Sequence, residues 1–167
     1  MSIIGAVLFV AALIAADQVI KYFVIEYLMP IGTLEVIEVL IRLRYVENTG
    51  AVFGSFSAHT AVLTVVSIVL LIATIYFLIS QKNKSKIVSI TLLLMIAGGI
   101  GNIIDRIRLH YVVDYIEPTF INFAVFNFAD CLITVGAFIL MAYLIVDIIK
   151  DSKNKKPANE SEFLTET

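Results

Sequence analysis

Cysteine is almost missing: Cys131 stands alone among 167 residues, which excludes an intrachain disulfide and any metal site built from several thiolates, and leaves a packing role for that side chain. Histidine is nearly as scarce. His59 and His110 do not fall in an HExxH pattern, so a zinc-peptidase helix is excluded, and His59 reads as an interfacial residue at the start of a helix. No GxSxG elbow occurs, and Ser55 and Ser57 have no base promised within reach, which argues against a serine nucleophile. A two-Asp magnesium site is conceivable, but magnesium enzymes of that kind usually bring substrate phosphates and more acidic ligands, so neither metal nor cofactor is expected. Charge is sparse as well, at 16% of residues, and no internal repeat is present.

What fills the chain instead is apolar: 60% of residues are hydrophobic and the mean hydropathy is +0.97, far beyond soluble domains. Four stretches, near 3–28, 59–79, 87–107 and 131–149, approach the roughly 20 apolar residues that cross a bilayer. Seven of the twelve basic residues lie in two short segments, Lys82, Lys84 and Lys86 in one and Lys150, Lys153, Lys155 and Lys156 in the other. The positive-inside rule assigns both to the cytoplasm, with both chain ends. The expected fold is an all-α membrane protein, a four-transmembrane-helix bundle with a small extracytoplasmic β-sheet or loop region over about 29–58. Residues 1–150 form the bundle domain and 151–167 a polar cytoplasmic tail. A cleaved leader ending near Ala15-Ala16 fits less well, because no basic stretch precedes the apolar run and apolar character resumes after Lys21.

Polar residues inside apolar segments are costly, about 2.5–3.5 kcal/mol each on insertion scales, and so mark sites or structural pairs. Asp17 and Lys21 are four apart on one face of the first helix and can pair. In the third helix Gly98, Asn102 and Arg106 recur every four residues, with Gly101 and Asp105 alongside, making a small and polar stripe that must face protein or water. Between the first two spans, IRLRYVENTG alternates like a half-exposed strand from Ile41 to Tyr45 and turns at Asn48-Thr49-Gly50. LHYVVDYI and INFAVFNF are aromatic and β-branched, which favours extended structure around Asp114.

FNFAD, at Phe126 to Asp130, reads as the start of the fourth helix, with Asn127 as N-cap and Asp130 as its N3 partner in a capping box. A cap alone accounts for Asp130. The chain topology adds another possibility, since Asp114 and Asp130 bracket one short outer connection and lie at one membrane depth. Two carboxylates that close share a proton and titrate as a unit. The ionised member can then take a proton from water while the protonated member polarises a peptide carbonyl, as in aspartic proteases.

Taken in order, DQVIK (Asp17 to Lys21), ENTGAVFG (Glu47 to Gly54), GGIGNIIDR (Gly98 to Arg106), VVDYI (Val112 to Ile116) and FNFAD resemble the lipoprotein signal peptidases, the type II signal peptidases of bacteria. The resemblance implies an aspartic endopeptidase of the cytoplasmic membrane with its active site at the outer face. It would remove signal peptides from diacylglyceryl-modified prolipoproteins, cutting before the lipidated cysteine. By the same carry-over Asp114 and Asp130 are the catalytic dyad. Asn48, Gly50, Gly98, Asn102, Arg106, Asn127 and Ala129 would orient it or bind substrate, and Asp17 and Lys21 would be a supporting polar pair. The partners implied are the prolipoprotein and membrane lipids, with no nucleic acid and a monomeric chain. Val52 and Cys131 depart from the family's preference for small residues there. Two alternatives stand beside this reading. One is a transporter or channel subunit with Asp17, Lys21 and Arg106 along a polar pathway. The other is an intramembrane aspartic protease of the GxGD kind, which Asn102 contradicts by standing where that motif needs an acid.

Overall fold

The computed structural model describes residues 2–50, 56–80 and 85–163, with side chains for 2–50, 60–80 and 85–153. Val52, Phe53, Gly54 and Ser55, and the side chains of Ser57 and His59, lie outside what is described, so the expectations placed on them go no further. Helix α1 (Ile3–Phe23) widens into a π-helical turn, Val24–Leu28, and leads to strands β1 (Thr33–Ile37) and β2 (Ile41–Asn48). Helices α2 (Phe56–Ser80) and α3 (Lys86–Leu109), strand β3 (Val112–Pro118) and helix α4 (Phe128–Phe163) follow.

Four helical spans are long and apolar enough to cross a membrane: Ile3–Leu28, Thr60–Ser80, Lys86–Leu109 and Phe128–Lys153. The four-helix membrane bundle expected from hydropathy is thus the observed architecture. The helices are not equivalent, however. Within α3, 56% of the most apolar window is buried inside the protein, against 6%, 0% and 11% for α1, α2 and α4, so α3 is the central post and the others expose most of their surface to lipid. It packs on all three, most extensively on α4.

Close approach of α3 and α4 depends on missing side chains. A methyl group at Gly98 would collide with the Ala129 carbonyl oxygen and lie 2.9 Å from Ile133. One at Gly101 would come within 2.6 Å of Asp17 Oδ2 and 3.3 Å of the Ala129 methyl. Small residues at such a seam let backbones touch where lipid gives no hydrophobic drive to association.

The sheet is antiparallel in the order β1-β2-β3. Its register pairs Leu34 with Leu43 and Leu43 with Ile116, and at the other end Val46 with Asp114 and Asn48 with Val112. The strand read from Ile41 to Tyr45 runs on to Asn48, pairing with β3 on either side of an irregularity between Leu43 and Val46 that breaks the simple alternation. The second aromatic segment is extended only where Phe126 bridges Ile116, and its other residues make no strand. The sheet is anchored to the bundle by Val24 and Leu28 of the π-helical turn, which cluster with Val113 and Tyr115.

Gly98→Val is expected to destabilise the protein by about 1–3 kcal/mol through overpacking of the α3–α4 seam, read as a lowered unfolding temperature in lipid-like detergent.

Candidate active site

The first turn of a helix has backbone N–H groups without intrahelical partners, and at α4 three side chains take them. Tyr115 Oη accepts from Phe128 N (3.2 Å), Asp17 Oδ1 from Ala129 N (3.2 Å) and Asn127 Oδ1 from Asp130 N (2.9 Å). Asp130 Oδ2 in turn accepts from Asn127 N at 3.2 Å, which closes the capping box read from the sequence. The start of α4 is thereby tied to β3, to α1 and to the loop before it.

Asp114, on β3, is 1% exposed. Its Oδ2 accepts from Asn48 Nδ2 at 2.7 Å and its Oδ1 from Asn127 Nδ2 at 2.6 Å. Asp130 Oδ1 accepts from Asn102 Nδ2 at 2.7 Å. Asn127 therefore touches both carboxylates, one through its side chain and one through its backbone. Each amide is oriented by what its oxygen does. Asn48 Oδ1 accepts from Gly50 N (2.9 Å) in the turn where Gly50 has φ +70°, and Asn102 Oδ1 accepts from Lys21 Nζ (3.0 Å) and Asn127 Nδ2 (3.2 Å). With the oxygens occupied, the NH2 groups point at acid.

Burial pushes the Asp114 carboxyl up to about 6, and the nearby charge of Asp130 adds to the rise. The hydrogen bonds from Asn48 and Asn127 and the charge of Lys21 act in the opposite sense. A carboxyl poised there exchanges its proton near neutral pH, which suits acid–base work.

Behind the carboxylates, Lys21 Nζ lies 2.9 Å from Asp17 Oδ2 and 2.8 Å from Asp105 Oδ2, with all three side chains at most 3% exposed. The expected Asp17–Lys21 pair is present, but Asp105 shares it, and Gln18 Nε2 donates to Asp17 (3.2 Å), Asp105 (3.0 Å) and the Gly101 carbonyl (3.3 Å). Asp105 and Gln18 are the polar neighbours that sequence reasoning left out of the site. The signal for Asp105 was its place in the small-and-polar stripe. Asp17 and Lys21 are closed by their partners rather than strung along a polar pathway.

Of the remaining candidates, Ala129 is fully buried between Gly98, Gly101 and Asp17. Arg106 is drawn in less tightly. Among the described residues its Nη1 reaches only the Asn102 carbonyl, at 3.5 Å, although its charge acts on Asp130 and Asp114. It lines a cavity of about 620 Å³ with Thr49, Thr60, Thr64, His110 and Tyr111.

A family described as signal peptidase (SPase) II matches residues 9–146. The chain belongs to the signal peptidase II family. The lipoprotein signal peptidase of Caldanaerobacter subterraneus subsp. tengcongensis is 45% identical over 141 residues, 84% of this chain and 95% of that one. That of Enterococcus faecalis is 36% identical over 86% of this chain and 91% of its own. Two solved structures, each described as a bacterial membrane enzyme, are similar in fold with TM-scores of 0.75 and 0.76 at 31% and 32% identity. They cover 92% and 85% of this chain, and it covers 92% and 93% of theirs. As a signal peptidase II, the chain is an aspartic peptidase, a hydrolase carried on a multi-pass membrane bundle.

Asn48→Ala removes a hydrogen bond that favours ionised Asp114, so the Asp114 titration is expected to move upward from about 6. Carbon-13 NMR of aspartate-labelled protein across pH 4–9 reads that shift.

Proposed function

We propose that the protein removes signal peptides from diacylglyceryl-modified prolipoproteins, cleaving before the lipidated cysteine, with Asp114 and Asp130 sharing the work on one water. In the resting dyad one carboxyl holds a proton and the other is ionised. The ionised member takes a proton from water as its oxygen attacks the scissile carbonyl, and the protonated member donates to the carbonyl oxygen. On collapse of the tetrahedral intermediate the C–N bond breaks, one carboxyl gives its proton to the leaving amine nitrogen and the other takes a proton from a gem-diol hydroxyl, so the dyad is left again with one proton. The observation that carries this reading is the shared contact of Asn127 with both acids, together with the raised titration of Asp114.

Other features support the setting. The sheet and both acids are at the bundle end opposite Ser2, and Ile79 near the end of α2 and Ser89 near the start of α3 share a cavity with Ser2, so Lys86 and Lys150 belong to the end away from the acids. The positive-inside rule then puts the termini in the cytoplasm and the dyad at the outer leaflet, where a diacylglyceryl cysteine would hold the scissile bond. Lipid anchoring supplies proximity, so the protein's own task is orientation of an extended backbone. Arg106 and the cavity it lines are available for that task, beside the turn that aims Asn48. In this reading the enzyme acts as a monomer. The bundle as far as Lys150 acts as the peptidase domain, and the polar residues beyond it are a cytoplasmic tail.

Purified protein should cleave a diacylglyceryl-modified prolipoprotein and leave its unlipidated twin intact. Asp114→Asn and Asp130→Asn should each lower the rate by at least about 10³-fold without loss of fold. Cleavage of both substrates alike, or a variant at either aspartate that keeps the wild-type rate, would refute the proposal. A transporter subunit would instead tolerate both changes and depend on Asp17 for flux.

A further inference from the structure

We infer that Asp105 is a positioning residue of the dyad: from α3 it fixes the strand carrying Asp114, while Asn102, one turn before it, fixes Asp130. This inference rests on the peptidase reading above. Asp105 Oδ2 accepts the backbone N–H of Val113, the residue before Asp114, at 3.2 Å. Val113 is itself fully buried, so that tie is sealed from solvent. Asp17 does the same on the other side, accepting the N–H of Ala129, the residue before Asp130. Lys21 joins the two acids and adds the Asn102 oxygen as a third partner. Asp130 and Asp114 are thus joined on one side through Asn127 and on the other through Asn102, the α3 turn to Asp105 and the Val113 N–H, with Lys21 tying Asn102, Asp105 and Asp17 together. The shortest rigid member is the single helical turn from Asn102 to Asp105.

Asp105 stands three positions beyond Asn102, about 4.5 Å along a helix, so α3 gauges the spacing between α4 and β3 at the level of the acids. Two carboxylates placed to share a proton are sensitive to that spacing, and a displacement of about 1 Å in a reacting group can cost roughly 10²-fold in rate. Asp105 also sets charge. The charged groups about Asp114 are Asp130 from α4, Lys21 and Asp17 from α1, and Asp105 and Arg106 from α3. Glu47 of β2 pairs with Val113 and so belongs to the opposite face of the sheet. Removing the negative Asp105 leaves Lys21 less neutralised and favours ionised Asp114. Removing the positive Lys21 does the reverse.

The test is steady-state cleavage of a diacylglyceryl prolipopeptide across pH by wild type, Asp105→Asn, Asp105→Glu and Lys21→Gln. Asp105→Asn should lower kcat by about 10–100-fold with KM within about twofold, and move the alkaline limb of the pH profile to lower pH. Asp105→Glu keeps the charge but lengthens the side chain, so it should lower kcat and leave that limb in place. Lys21→Gln should move the limb to higher pH. A limb position does not depend on how much of a variant has folded, so a poorly folding preparation still answers. NMR titration of Asp114 in the same proteins gives the two opposite shifts without any turnover. Active wild type with Asp105 variants of unchanged kcat would overturn the positioning role alone, as would identical limbs in Asp105→Asn and Lys21→Gln. Wild type inactive on the lipidated peptide would overturn the peptidase reading.

Discussion

One ammonium group, Lys21 Nζ, meets three oxygens, one each from Asp17, Asp105 and Asn102, within 2.8–3.0 Å. A lysine head has three N–H bonds to give, and here all three are given inside the protein. Nothing remains to drag water into the bundle. Without that saturation a charge at this depth would snorkel to the interface, and α1 would lose its grip on α3. With it, α1 and α3 are locked at the level of the acids, and the far oxygen of Asp17 is free to hold the start of α4. The two acids on one lysine are tolerable because each also accepts a backbone N–H and a Gln18 hydrogen bond.

That electrostatic lock works only at short range, and short range is what the glycines give. Gly101 lets Asp17 lie against the α3 backbone, and Gly98 lets the Ala129 carbonyl lie against it one turn away. The α3 helix therefore has two jobs that a larger stripe could not combine. Its small residues admit its neighbours, and its polar ones, Asn102 and Asp105, bind what has been admitted. The cost of the buried polar groups is offset by complete partnering: among the described residues no buried side-chain nitrogen or oxygen lacks a hydrogen bond.

Much of this was readable from residue order. Apolar runs of membrane length marked the four spans, the alternation of IRLRY marked β2, and the Asn127 and Asp130 spacing marked the cap. Each of those is a local pattern with a physical period. What stayed hidden was non-local. Asp105 sits in the same stripe as Asn102, yet a stripe does not say which neighbour each side chain meets, and only β3 folding back onto α3 gives Asp105 the Val113 N–H. Gln18 gave no signal, being one more polar residue beside a charged pair. The π-helical turn of Val24–Leu28 was equally silent, since its role is to present Val24 and Leu28 to a strand almost ninety residues later.

The amides around the acids follow a common logic. An aspartate at 48, 102 or 127 would fit the same space, but it would bring a further negative charge against Asp114 or Asp130 and could donate nothing to them. A lysine or arginine would donate, yet its full charge would favour the ionised form of Asp114. Asparagine donates without a net charge, and its oxygen can be anchored by Gly50 N–H, Lys21 or Asp130 N–H so that the donor end faces the acid. Of the three, Asn102 is oriented by the charge of Lys21, and Asn48 and Asn127 by backbone N–H groups. The charged cluster of Lys21, Asp17 and Asp105 thus belongs behind Asn102, close enough to set its geometry.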